Sequence, residues 1–133
     1  MEDISLHVEA EINPTESQEK VEQAVRNIFG DMNMQVKPLR KGSLLVGEGK
    51  GKESLTRLYE LFRREHIRSA ARAVFIEGMD RKTVSFCLNK QVAYVGHISF
   101  SKETAESPLG PIKVKIQCED PRELVEWLAP RIM

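Results

Sequence analysis

The sequence has 133 residues, room for one domain with a single core and too few for two. It carries 20 Lys+Arg against 20 Asp+Glu, with 30% charged and 41% hydrophobic residues, a composition that excludes a disordered tail. No apolar run approaches the ~20 residues of a membrane span, Met1-Glu2-Asp3-Ile4 lacks the layout of a signal peptide, and two cysteines are too few for a disulfide framework or a four-ligand zinc site. The expectation is a single-domain cytoplasmic protein without a membrane partner, with Cys87 and Cys118 as buried thiols in strands.

Residues 4–12 alternate, with Ile4, Leu6, Val8, Ala10 and Ile12 on one side and Ser5, His7, Glu9 and Glu11 on the other. That period of two predicts a strand with one buried and one wet face. Asn13-Pro14-Thr15 stops the strand and opens a helix, with Thr15 or Asn13 as its cap. Val21, Ala24, Val25, Ile28 and Phe29 form its apolar stripe, and Gly30 ends it. Residues 32–39 and 44–48 are predicted strands around the turn Arg40-Lys41-Gly42-Ser43.

The helical pattern of residues 52–77 would be ~39 Å long as one helix, too long for a domain with a radius of gyration of ~14 Å. Leu55, Leu58, Tyr59 and Phe62 share one face, whereas Ile67, Ala70, Ala71 and Val74 share another rotated by about 100°. The pattern predicts two helices with a break near residues 64–66. Val84, Phe86 and Leu88, then Val92, Tyr94, Gly96, Ile98 and Phe100, alternate as two strands joined by a hairpin at Asn89-Lys90-Gln91. A loop with Ser107-Pro108-Leu109-Gly110-Pro111 precedes a last strand with Ile112, Val114, Ile116 and Cys118 inward. Asp120-Pro121 opens a closing helix that Pro130 stops. These elements predict an α+β fold: a single-layer antiparallel or mixed sheet of about six strands, with about four helices on one face.

Few residues carry recognisable chemistry. The run Gly47-Glu48-Gly49-Lys50-Gly51-Lys52-Glu53-Ser54 fails as a phosphate loop twice, because Val46 stands where the first Gly belongs and Glu53 where the hydroxyl belongs. His7, His66 and His97 have no metal-ligand spacing, no nucleophile motif occurs, and no cofactor is indicated. Charge is more informative. Residues 1–36 hold 2 basic and 8 acidic side chains, residues 37–90 hold 13 and 6, and residues 91–133 hold 5 and 6.

Arg64, Arg68 and Arg72 recur every fourth residue and, with Arg63, exceed what Glu60 and Glu65 neutralise. Guanidinium groups fit phosphate through their planar fork of donors. Lys50, Lys52, Arg40-Lys41 and Arg81-Lys82 fall at loops or element ends, where long basic chains reach a nucleic-acid backbone. Phe86, Tyr94 and Phe100 are in phase with the core, so phosphate contact with structured RNA is favoured over stacking on the sheet. Two other classes compete with this reading. One is an assembly module or homodimer in which the acidic N-terminal third meets the basic middle of a second copy; the other is an enzyme on a phosphorylated small molecule.

Ile12-Asn13-Pro14-Thr15-Glu16, the run Leu88-Asn89-Lys90-Gln91-Val92-Ala93 leading to Gly96-His97-Ile98-Ser99-Phe100, Leu109-Gly110-Pro111-Ile112 and Trp127-Leu128-Ala129-Pro130 occur in that order. Together they resemble an uncharacterised archaeal family of single-domain proteins described as RNA-binding. The resemblance implies a fold like that of ribosomal proteins of the L-five class, a cytoplasmic setting, an RNA partner, ribosomal RNA among the candidates, and no assigned catalytic activity. Asn89, Lys90 and Gln91 then join Arg63, Arg64, Arg68, Arg72, Lys50, Lys52, Arg81 and Lys82 as candidate RNA-contacting residues. A hairpin connection would require polar residues at 89–91 in any case.

Overall fold

A computed structural model describes residues 3–101 and 110–131; the Ser107-Pro108-Leu109 part of the predicted loop lies outside the described residues. Strands are β1 (Ser5–Ile12), β2 (Asn33–Pro38), β3 (Ser43–Lys50), β4 (Thr83–Asn89), β5 (Phe100–Ser101) and β6 (Pro111–Gln117). Helices are α1 (Gln18–Phe29), α2 (Thr56–Arg64), α3 (Arg68–Glu77), α4 (Lys90–Tyr94) and α5 (Pro121–Leu128), with a 3-10 turn at Lys52–Leu55 before α2. The sheet order is β2-β3-β1-β6-β4-β5, and every pairing is antiparallel.

Alternation in β1 and β6 sends Ile4, Leu6, Val8, Ile112, Val114 and Ile116 under the helices, where each is essentially buried. They meet Val25 and Ile28 of α1, Leu58 and Phe62 of α2, Phe75 of α3 and Leu124 of α5 in one core. Phe62 and Phe75, with rings 5.5 Å apart, are fully enclosed, and burial of each contributes ~2–3 kcal/mol. The opposite face carries Ser5, His7, Glu9, Lys113, Lys115 and Gln117, none of them buried. That wet face follows from the same alternation.

The break between α2 and α3 falls where the apolar stripe changes phase, at His66, whose φ of 56° turns the chain without Gly or Pro. Of the glycines before α2, Gly51 makes the turn with φ 79°, and its N–H donates to the Ile4 carbonyl at 2.8 Å. Gly49 is still within β3, where a Cβ would stand 2.8 Å from the Ser54 side chain.

Three expectations are corrected. The first helix begins at Gln18 with Ser17 as its cap, because Glu16 folds back to accept from the Asn13 backbone N–H at 3.0 Å. Residues 89–91 are not a hairpin connection. The Asn89 side chain accepts from the Val92 N–H at 3.0 Å and starts α4, so the predicted strand shrinks to Phe100–Ser101. Tyr94 consequently lies on the surface, and Ala93 takes the buried position.

Candidate nucleic-acid interface

The four arginines of the central segment do not form one stripe. Arg64 ends α2 and Arg68 begins α3, so the break at His66 interrupts the four-residue repeat. Arg63 is built into the fold: its guanidinium sits 3.4 Å from the Tyr59 ring centroid and donates to the carbonyls of Tyr59 (3.1 Å), Trp127 (3.2 Å) and Leu128 (3.3 Å). It thereby satisfies the orphan carbonyls at the C-terminal end of α5, where a cation is also favoured by the helix dipole. Arg72 does the same for the Ala129 carbonyl at 3.2 Å and binds the Glu126 carboxylate, which it holds below the usual carboxylate range. These two arginines are structural. Arg64 is exposed, with one N–H on the Gly96 carbonyl at 3.0 Å, and half-buried Arg68 has no polar partner among the described residues.

Lys90 is also inside the structure. Only 3% of its side chain is exposed, and its ammonium donates to the Glu11 carbonyl at 2.7 Å and the Glu16 carboxylate at 2.9 Å. Burial opposes ionisation of Glu16, but the Asn13 N–H, the Lys90 ammonium and the Asn13 amide outweigh it and hold the carboxyl below its usual range. Asn89 caps α4, and of the three only Gln91 points into solvent. Of the candidate RNA contacts, Arg63, Arg72, Asn89 and Lys90 thus have polar groups engaged within the fold.

The other cations converge through topology. The exit of β3 carries Lys50 and Lys52; Ser5 pairs with both Lys50 and Gln117, and Gln117 pairs with Thr83. Arg81 and Lys82 form the tip of a tight turn closed by the Asp80 N–H on the Thr83 carbonyl at 2.8 Å. Three strand spacings of ~4.8 Å put Lys50 about 14 Å from Thr83. One end of the sheet thus brings together Lys50, Lys52, Arg81 and Lys82. Lys82 reaches Glu119 at 3.1 Å, whereas the side chains of Lys50, Lys52 and Arg81 are in no ion pair among the described residues; Asp80 accepts from the Arg81 backbone N–H at 2.7 Å. The Lys52 ammonium lies 4.6 Å over the ring of Trp127, which stacks on Tyr59 with centroids 4.9 Å apart.

Lys37 and Lys115 were not singled out by sequence reasoning. Together with Lys50 they line a shallow hollow of about 720 Å³ on the wet face between β2, β3, β1 and β6. Alternation marks Lys115 as outward, but which strands lie beside it is a matter of register, and register has no local signature. At the centre of that face His7 stands between Glu9 (3.0 Å) and Glu48 (3.3 Å). His97 meets Glu65 at 2.9 Å; burial raises the Glu65 carboxyl, and bonds from His97 and the Ile98 N–H more than offset it. Among the described residues no three His, Cys, Asp or Glu side chains are grouped to hold a metal, and no helix is long and apolar enough to cross a membrane.

Residues 5–118 match the profile of a protein family described as RNA binding. A protein of Sulfurisphaera tokodaii named UPF0201 protein is 40% identical over 124 residues, covering 93% of this chain and 86% of its own. Its namesake from Aeropyrum pernix is 40% identical over 130 residues, covering 96% and 85%. The crystal structure of the UPF0201 protein from Methanococcus jannaschii superposes with a TM-score of 0.84 at 33% identity, covering 95% of this chain and 99% of that one. Neither the family description nor these names denotes an enzyme class. The chain belongs to the family described as RNA binding, alongside the UPF0201 proteins of archaea.

Proposed function

We propose that this protein binds structured RNA without chemically altering it, holding phosphates with cations at one end of its sheet. The observation that supports this most is the convergence of Lys50, Lys52 and Arg81 on that end, with none of their side chains in an ion pair among the described residues. The family description points the same way. Lys82 and Arg64 add secondary contacts through donors left over from their internal bonds, and Arg68 and Gln91 add theirs through side chains that are free among the described residues. Uncompensated cations at loop tips attract phosphate, and attachment of this kind is set by shape and charge rather than by base sequence.

Titration of a labelled RNA hairpin at salt concentrations from about 50 to about 200 mM tests the reading. Affinity is expected to fall steeply with salt. Reversing Lys50, Lys52 and Arg81 to Glu should weaken all hairpins alike, about tenfold or more, and flatten the salt slope by up to about three units. Absence of binding at the lowest salt, or a triple variant that binds like the parent, overturns it.

A further inference from the structure

We infer that the hollow on the wet face of the sheet holds a short single-stranded stretch of RNA. This rests on the RNA-binding reading above and says where an unpaired segment of that RNA sits. The floor and walls present Lys37, Lys50 and Lys115 together with the amides of Asn33, Gln35 and Gln117. None of the three lysines has an ion-pair partner among the described residues, and none of the three amide side chains makes a hydrogen bond there. The acid of the hollow, Glu48, is held by the His7 Nδ1 at 3.3 Å. The hollow therefore carries a surplus of positive charge and a set of unspent donors and acceptors.

Spacing decides the kind of anion. Lys50 and Lys115 lie on strands separated by β1 and offset by two residues, which puts their Cα atoms about 12 Å apart; Lys37 and Lys50 are six residues apart along adjacent strands, about 21 Å. One small phosphate compound cannot meet all three, whereas successive phosphates of a polynucleotide can. A duplex presents its phosphates on a convex cylinder and hides its base edges, so it neither enters a concave floor nor offers anything to the amides. An unpaired strand does both: its phosphates face the lysines, and its base edges face Asn33, Gln35 and Gln117, whose amides pair with bases as donor and acceptor at once. A volume of about 720 Å³ admits one or two nucleotides at a time. No Phe, Tyr or Trp lines the hollow, and the imidazole of His7 is engaged by Glu9 and Glu48, so recognition there proceeds by hydrogen bonds and charge rather than by stacking.

The test compares two double variants, K37E/K115E on the hollow and K52E/R81E at the sheet end, against a labelled single-stranded RNA decamer and a labelled hairpin with a minimal loop. The hollow variant is expected to lose tenfold or more in affinity for the decamer while binding the hairpin within twofold of the parent. Q35A is expected to alter the preference among A-, U- and C-rich decamers with an unchanged salt slope. Retention of decamer binding by K37E/K115E, while K52E/R81E loses the hairpin, overturns the hollow as a site and leaves the RNA-binding reading standing. If the parent binds neither RNA, both fall. A parent that sediments as a dimer, with K37E/K115E a monomer, assigns the hollow to a second copy and also overturns the inference. Far-ultraviolet circular dichroism confirms that each variant is folded, and K37A/K115A provides a milder pair should charge reversal disturb the sheet.

Discussion

The Lys90 ammonium lies 2.9 Å from the carboxylate of Glu16, a residue 74 positions earlier in the chain, and both side chains are almost entirely removed from water. The contact joins the end of β1, the approach to α1 and the start of α4. It also unites two of the stretches on which the family resemblance rests, Asn13-Pro14-Thr15-Glu16 and Asn89-Lys90-Gln91. In the structure Lys90 and Glu16 of those stretches fasten α4 to the sheet. K90M leaves a buried carboxylate without its counter-charge and is expected to cost ~3–5 kcal/mol in urea unfolding. K90M/E16L removes both charges and should recover much of the loss. A K90M protein as stable as the parent would falsify the assignment of Lys90 as a fastening residue.

Acid should unfold the protein partly through the same pair. The Glu16 carboxyl is held below its usual range in the folded state, so the folded protein binds fewer protons than the unfolded chain near that range. A depressed carboxyl contributes stability that is complete above the unfolded pKa of about 4.3 and is lost as pH falls through the folded value. Glu65 and Glu126 are shifted in the same direction and act in the same window. Thermal melts between about pH 3 and about pH 7 are expected to show a falling midpoint below about pH 4.5. E16Q should start from a lower plateau and fall less steeply. An acid limb as steep in E16Q as in the parent argues that other carboxylates control it.

Much of the fold was legible because periodicity is local. The alternation of β1 and the phase shift between Phe62 and Ile67 each record which side of an element meets the core, and they led to the wet face and the α2–α3 break. The region of residues 89–100 misled because its apolar residues at 92, 94, 96, 98 and 100 imitate a strand. Capping by Asn89 and burial of Ala93 decide for a helix there, and neither is visible as alternation. The interface was less legible than the fold. Spacing every four residues made Arg64, Arg68 and Arg72 look like a phosphate stripe. The groups that claim Arg63 and Arg72 are carbonyls of residues 127–129, more than fifty positions away.

Arg63 and its neighbour Arg64 should therefore behave differently. R63A uncovers the carbonyls at the end of α5 and removes the cation from the Tyr59 face, with an expected loss of ~2–3 kcal/mol. R63K should restore only part of this, since one ammonium cannot span three carbonyls as a planar fork does. R64A, at an exposed position, should change stability by less than ~0.5 kcal/mol. Chemical denaturation of the three variants checks the order, and equal losses for R63A and R64A would contradict the capping role.

Trp127 offers an internal reporter for the sheet end, since it is the single tryptophan of the chain and carries the Lys52 ammonium on its face at 4.6 Å. An exposed cation–π contact is worth ~0.5–1 kcal/mol, comparable with one screened phosphate contact, so an arriving phosphate can draw Lys52 off the ring at little cost. Hairpin RNA is expected to change Trp127 emission in proportion to the fraction bound, and raising the salt should reverse the change along with the binding. K52Q should shift the starting emission and lose most of the response while keeping part of the affinity, because Lys50 and Arg81 still hold the backbone. Binding seen by anisotropy with no change in Trp127 emission would remove Lys52 from the contact surface and move the RNA away from the exit of β3.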